Sequence, residues 1–189
     1  MTKLIGLSGS LRQHSFNSSL LRAAVELMPQ GAEMTVGSIR NIPLYDGDLE
    51  NARGVPAPAQ ALKDAIAVAD GLLIVTPEYN NSIPGVFKNA IDWLSRPPAD
   101  ISRVFGGKPV GLIGASPGGF GTILSQAAWL PVLRTLGTRP WFGGSLLVSR
   151  AATVFDENGR IINDSIKEQL QKFIDGFVTF VQTIPIHEV

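Results

Sequence analysis

The chain has 189 residues, 44% of them hydrophobic, with sixteen basic side chains against sixteen acidic ones, which is enough to fill one domain over residues 1–189 at zero net charge. No Lys/Arg run supplies a footprint for nucleic acid or an anionic membrane, and no apolar stretch approaches the ~18 residues of a membrane span, so small molecules or further copies of the chain are the expected partners. Cysteine is absent and His14 and His187 are the only histidines, which excludes disulfides, thiol chemistry and a histidine-rich metal site, and leaves any redox activity to a bound cofactor.

In chain order, MTKLIGL starts directly on a strand pattern without the apolar region of a signal peptide, so a cytoplasmic protein is expected. Leu4–Leu7 predicts the first strand, and Leu20, Leu21, Ala24, Val25, Leu27 and Met28 predict a helix from about Ser18 to Met28, ended by Pro29 and Gly31. Glu33–Ile39 predicts a second strand. Pro43–Pro58, rich in Pro, Gly and acid, reads as a surface loop with Tyr45 and Asp46 as rim residues, and Ala59–Ala69 as a second helix. Gly71–Thr76 is an unbroken apolar run of the kind a central parallel strand shows. A third helix follows over Val86–Leu94, then a connection bounded by Pro97, Pro98 and Gly106-Gly107, and a fourth strand over Lys108–Ala115. Thr122–Leu136 predicts a fourth helix that Pro131 should kink unless it lies early in it. Thr138–Val148 predicts a fifth strand and Ser165–Gln182 a final amphipathic helix.

Strands alternating with helices imply a doubly wound α/β sheet, in which ligands bind beyond the carboxyl ends of the strands. Three of the loops leaving those ends are dense in polar side chains. In the first, Ser8–Asn17, serine hydroxyls and the Asn17 amide are neutral donors, Gly9 permits close backbone approach, Arg12 supplies a positive fork, and the next helix adds its N-terminal amides. For any one of these residues a plain capped turn explains as much, and their clustering favours a phosphate site. GxGxxG and GxxxxGK[ST] are both missing, so a monophosphate such as that of FMN is the better fit.

The third loop, TPEYNNS over residues 76–82, is read either as a surface turn or as a segment whose amides at Glu78–Asn80 face a planar heterocycle, with Tyr79 covering it. Glu78 has no basic or acidic neighbour in sequence that would make it an acid/base group. The fourth loop, ASPGGFGT over residues 115–122, lets backbone approach a flat ligand and offers Ser116 as a donor, although a strand-to-helix turn explains it nearly as well. His14 reads either as a contact to the phosphate or a second substrate or, the favoured reading, as an exposed histidine without a role. Trp93, Trp129 and Trp141 read as core or subunit-interface residues, and Asp92 as a partner for Arg96 or for a neighbouring chain.

GSLRQHSFN, PEYNNSIPGVFKNAIDWLSRP and GASPGGFGT together resemble the three signature regions of the NADPH-dependent FMN reductase family, close to its bacterial chromate and quinone reductases, over Leu4 to about Val181. The resemblance implies a flavodoxin-like fold, a five-stranded parallel sheet of order 2-1-3-4-5 with helices on both faces, and non-covalent FMN. It implies that Ser10, Arg12, Ser15 and Asn17 hold the phosphate, that Pro77, Glu78, Tyr79 and Asn80 line the isoalloxazine, and that Ser116 and Gly118 border the ring or ribityl chain. It implies hydride transfer from NADPH or NADH and a ping-pong scheme passing electrons to quinones and, less selectively, to azo compounds or chromate, in a homodimer or homotetramer. No protein acid or base is required by that chemistry. The competing readings are a flavodoxin-type electron carrier, disfavoured because such carriers are strongly acidic, and a receiver-type module, disfavoured because Leu7-Ser8-Gly9-Ser10 offers no acidic pocket.

Overall fold

The computed structural model describes residues 1–183; His187 lies outside the described residues. Its elements are β1 (Thr2–Ser8), α1 (Phe16–Glu26), β2 (Ala32–Gly37), α2 (Gly47–Arg53), α3 (Ala57–Val68), β3 (Gly71–Val75), α4 (Gly85–Leu94), α5 (Ile101–Phe105), β4 (Pro109–Ala115), α6 (Ile123–Thr135), β5 (Arg139–Pro140), β6 (Leu146–Val148) and α7 (Asp164–Thr183). The strands pair in parallel in the order β2-β1-β3-β4-β5, with β6 also on β4, which is the flavodoxin-like order.

Alternation along each strand sorts the core into two layers. Leu4, Leu73 and Val75 face Leu20 and Leu21 of α1 and Phe173 and Phe177 of α7. Ile5, Leu7, Leu72 and Ile74 face Leu62 and Ile66 of α3, Phe87 and Ile91 of α4, and Trp129 and Leu133 of α6. Every residue of β3 is buried, as its unbroken apolar run requires between two helical layers. Each fully buried side chain of this size contributes about 1.5–3 kcal/mol.

The structure departs from the sequence expectations in three places. The Pro43–Pro58 loop contains α2, which Asp46 caps by accepting from the Asp48 amide at 2.9 Å; α2 buries none of its residues and so shows no apolar stripe. The connection after Pro98 contains α5, which buries Val104 and Phe105. The fifth strand is two pieces on one edge: the Trp141 amide still donates to the Val110 carbonyl of β4 at 2.8 Å, the chain then leaves the edge and rejoins it at Leu146, and the Trp141 ring packs edge-on against Phe173, 4.9 Å between centroids. Pro131 lies inside α6, one of the two placements the sequence allowed. It shares the exposed face with Ala127, whose carbonyl it deprives of its helical donor. The buried stripe of α6 is Ser125, Trp129 and Leu133, and Leu124 and Leu130 remain partly exposed.

Candidate functional site

The three polar loops do leave the carboxyl ends of β1, β3 and β4, which are adjacent in the sheet. In the first loop Ser15 caps α1, its hydroxyl accepting the Ser18 amide at 3.4 Å. None of the backbone amides from Gln13 to Asn17 has an acceptor among the described residues. The Ser10 hydroxyl is buried and accepts from the Arg12 amide at 3.3 Å, keeping its own proton free for a ligand, and the exposed Arg12 guanidinium makes no hydrogen bond or ion pair among the described residues. A groove of about 280 Å³ opens beside this loop, lined by Ser8, Ser10, Arg22 and Arg40 among others.

Two residues of this loop do other work than the sequence suggests. The Asn17 side chain donates to the Ala115 carbonyl at 2.8 Å and accepts the Ala115 amide at 2.9 Å. The last β3–β4 bond is Thr76 N–H to the Ile113 carbonyl, so Asn17 takes the place of a strand where β3 has ended. Gly9 makes room for protein rather than ligand, since a β-carbon there would lie 2.2 Å from Cδ1 of Phe87.

In the third loop Asn80 and Asn81 adopt left-handed φ values of 50° and 61°, and Tyr79 and Ser82 exchange backbone hydrogen bonds at 3.1 and 3.0 Å. This is a type I′ hairpin turn, for which asparagine is suited. The Tyr79 amide is therefore occupied, whereas those of Glu78 and Asn80 have no acceptor among the described residues. Pro77 is buried and Tyr79 is exposed. The Glu78 carboxylate accepts the Leu124 and Ser125 amides at 2.9 and 3.0 Å.

The fourth loop is closed on itself: the Ser116 hydroxyl donates to the Gly121 carbonyl at 2.6 Å and is not the spare donor the sequence suggests. A β-carbon on Gly118 would lie 3.6 Å from the Ser116 hydroxyl oxygen, and one on Gly119 would touch nothing within 4 Å, so the loop presents open backbone. Arg150, which the sequence did not single out, donates its amide to the Gly118 carbonyl at 2.9 Å in a left-handed conformation. Its place beside this loop arises from β6 folding back on β4, and no local motif announces it.

Tyr45 does not stand free at a rim. Its ring packs edge-on against buried Trp93, 5.0 Å between centroids, and its hydroxyl donates to Glu50 at 2.9 Å. Arg96 pairs with Glu50 at 2.7 Å rather than with Asp92, whose partner is Lys88 at 2.6 Å. The Arg96 hydrogen bond holds the Glu50 carboxyl below its usual range and raises Arg96 in turn, while the bond to Glu50 raises the Tyr45 hydroxyl. Arg96 is thus engaged within the chain.

Against known proteins, the model of the family described as NADPH-dependent FMN reductase matches residues 2–153. The chain belongs to this family. Over 182 residues it is 40% identical to an NAD(P)H-dependent FMN reductase of Pseudomonas aeruginosa, covering 96% of each chain. A quinone reductase of Escherichia coli K12 is 36% identical over 189 residues, covering 97% of each. Among solved structures, the flavoenzyme NAD(P)H:(acceptor) oxidoreductase FerB of Paracoccus denitrificans superposes with a TM-score of 0.85 at 33% identity, covering 96% of this chain and 98% of that one. Membership makes the protein an oxidoreductase that uses FMN with NAD(P)H. Its first loop fits that cofactor: unspent amides at the start of α1, a hydroxyl proton and an unpaired guanidinium are the donor set of a phosphate site.

Proposed function

We propose that this protein is an FMN-dependent NAD(P)H reductase of quinones which also accepts, with low selectivity, azo compounds and chromate, and that residues 1–189 form its one FMN-binding domain. The first loop carries this reading: its amides from Gln13 to Asn17 are unspent and Arg12 has no internal partner among the described residues. There Ser10, Arg12 and the helix-start amides hold the phosphate, with Ser15 shaping the turn and Asn17 fixing it to β4. The amides of Glu78 and Asn80 meet the polar edge of the isoalloxazine, Pro77 and Tyr79 flank it, and Ser116 and Gly118 border it. Held there, FMN would supply hydride acceptance from NAD(P)H and electron delivery to the acceptor, so the chain's task is to bind and orient the cofactor and leave one ring face open to two ligands in turn.

Quinone as acceptor accords with relatives named quinone reductase and 2-hydroxy-1,4-benzoquinone reductase. A homodimer or homotetramer accords with the partly exposed apolar side chains Val86, Phe120, Ile123, Leu124 and Leu130 near the loops, and a cytoplasmic setting accords with the need for NAD(P)H. Among the described residues no helix is long and apolar enough to cross a membrane.

The test is one anaerobic cuvette. Purified protein reconstituted with FMN should be yellow, bleach on addition of NADPH or NADH, and recolour on addition of a quinone. A protein that takes up no FMN overturns the proposal, and one that stays yellow with both nucleotides removes its reductase half.

A further inference from the structure

We propose that Glu78 is a positioning residue, acting on the flavin cradle through the first turn of α6 rather than by touching the cofactor; the proposal rests on the FMN reading above. The thirteen-residue helix α6 has no side-chain cap of its own: Thr122, just before it, makes no capping hydrogen bond. Its N-terminal amides are met from the third loop instead. One oxygen of Glu78, Oε2, accepts both the Leu124 and the Ser125 amide, at 2.9 and 3.0 Å. A carboxylate at this end of a helix also meets the favourable end of its dipole.

Two residues before Glu78, Thr76 reaches the same turn. Its buried hydroxyl lies 2.9 Å from that of Ser125 and accepts the Trp129 indole N–H at 3.1 Å. The side chains of Thr76 and Glu78 thus both fasten to α6, on either side of buried Pro77 in the chain. This fixes the backbone that carries the unspent Glu78 and Asn80 amides, and it joins the third loop to the helix that the fourth loop enters. Glu78 lies 46 residues from Leu124, so the tie is between loops and not a local cap. Pre-ordering of this kind lowers the cost of ordering the loops when ligand binds.

The experiment compares wild type with Glu78→Ala and Glu78→Gln by amide hydrogen exchange of the apoprotein and by FMN titration followed through flavin fluorescence. In Glu78→Ala, exchange should rise together in residues 77–82 and 122–126, and FMN affinity should fall about fivefold, the scale of a lost cap. Because one oxygen carries both hydrogen bonds, Gln should restore most of the exchange protection and affinity, short of wild type by the lost charge, a rescue that loss of general packing would not show. Exchange rising only in 122–126, unchanged FMN affinity, or a Gln variant as impaired as Ala would each overturn the proposal. Wild type that binds no FMN would overturn the proposed function and any role of Glu78 toward that cofactor, while the apoprotein exchange would still decide whether the tie exists.

Discussion

Replacing Asn17 by Ala separates two roles that the sequence cannot distinguish, phosphate ligand and strut. The Asn17 side chain is 3% exposed and its amide satisfies both the N–H and the carbonyl of Ala115, itself 2% exposed, at 2.9 and 2.8 Å. Truncation strands both backbone groups at a point where β3 no longer supplies partners. Each stranded buried group costs about 1–3 kcal/mol, and alanine returns about 0.5 kcal/mol through its helix propensity. The expected loss is about 1.5–5.5 kcal/mol of apoprotein stability, or a fall of about 3–20 °C in Tm for a chain of this length. Thermal or urea unfolding of FMN-free protein reads it directly. Asn17→Asp should also destabilise, because a carboxylate cannot donate to the Ala115 carbonyl. Apoprotein stability within about 0.5 kcal/mol of wild type, combined with a large loss of FMN affinity, would refute the strut and return Asn17 to the phosphate.

Arg12→Ala should leave the melting curve of the apoprotein unchanged, since Arg12 has no internal partner among the described residues, and weaken FMN retention about tenfold or more by removing a charge-assisted phosphate contact; equal affinity in both proteins would exclude it from the site. Gly9→Ala places a methyl 2.2 Å from Phe87 Cδ1 and should cost about 1–3 kcal/mol in unfolding measurements, with Phe87→Leu in the same chain recovering part of it. The Glu50 carboxyl is held below its usual range by Arg96, so this pair's contribution is complete above the unfolded glutamate range near pH ~4.3 and is lost as pH falls through the depressed folded value. The Tm gap between wild type and Glu50→Gln should therefore be widest near neutrality and close on the acid side; a gap that is constant with pH would show that the charge contributes nothing.

The sheet was legible because its signals are local. β3 is an apolar run with no other use than burial between two layers, and the alternation of helix and strand periods sets the class. What escaped were elements whose reason for existing is elsewhere in the chain. α2 has no apolar stripe because it buries nothing and depends on Asp46 and on the pairing of Glu50 with Arg96. The buried stripe of α6 includes Ser125, whose polarity hides it from a hydrophobic count although its hydroxyl meets Thr76.

The loops show the same limit in a form that bears on function. Their composition correctly marks three polar segments at the carboxyl ends of adjacent strands, yet composition cannot say which polar groups are already spent. Asn17 binds Ala115, 98 residues away, Glu78 binds the start of α6, 46 residues away, and Ser116 binds within its own loop. Those bonds engage the side chains within the protein, and they fix the backbone whose remaining amides, at Gln13–Asn17, Glu78 and Asn80, have no acceptor among the described residues. On the proposed reading, main-chain donors and one arginine hold the ligand, while the conspicuous side chains keep those donors in place. Loss of a conspicuous residue should then appear first as apoprotein instability or loop opening, and only through that as weaker cofactor binding, whereas loss of Arg12 should appear in binding alone.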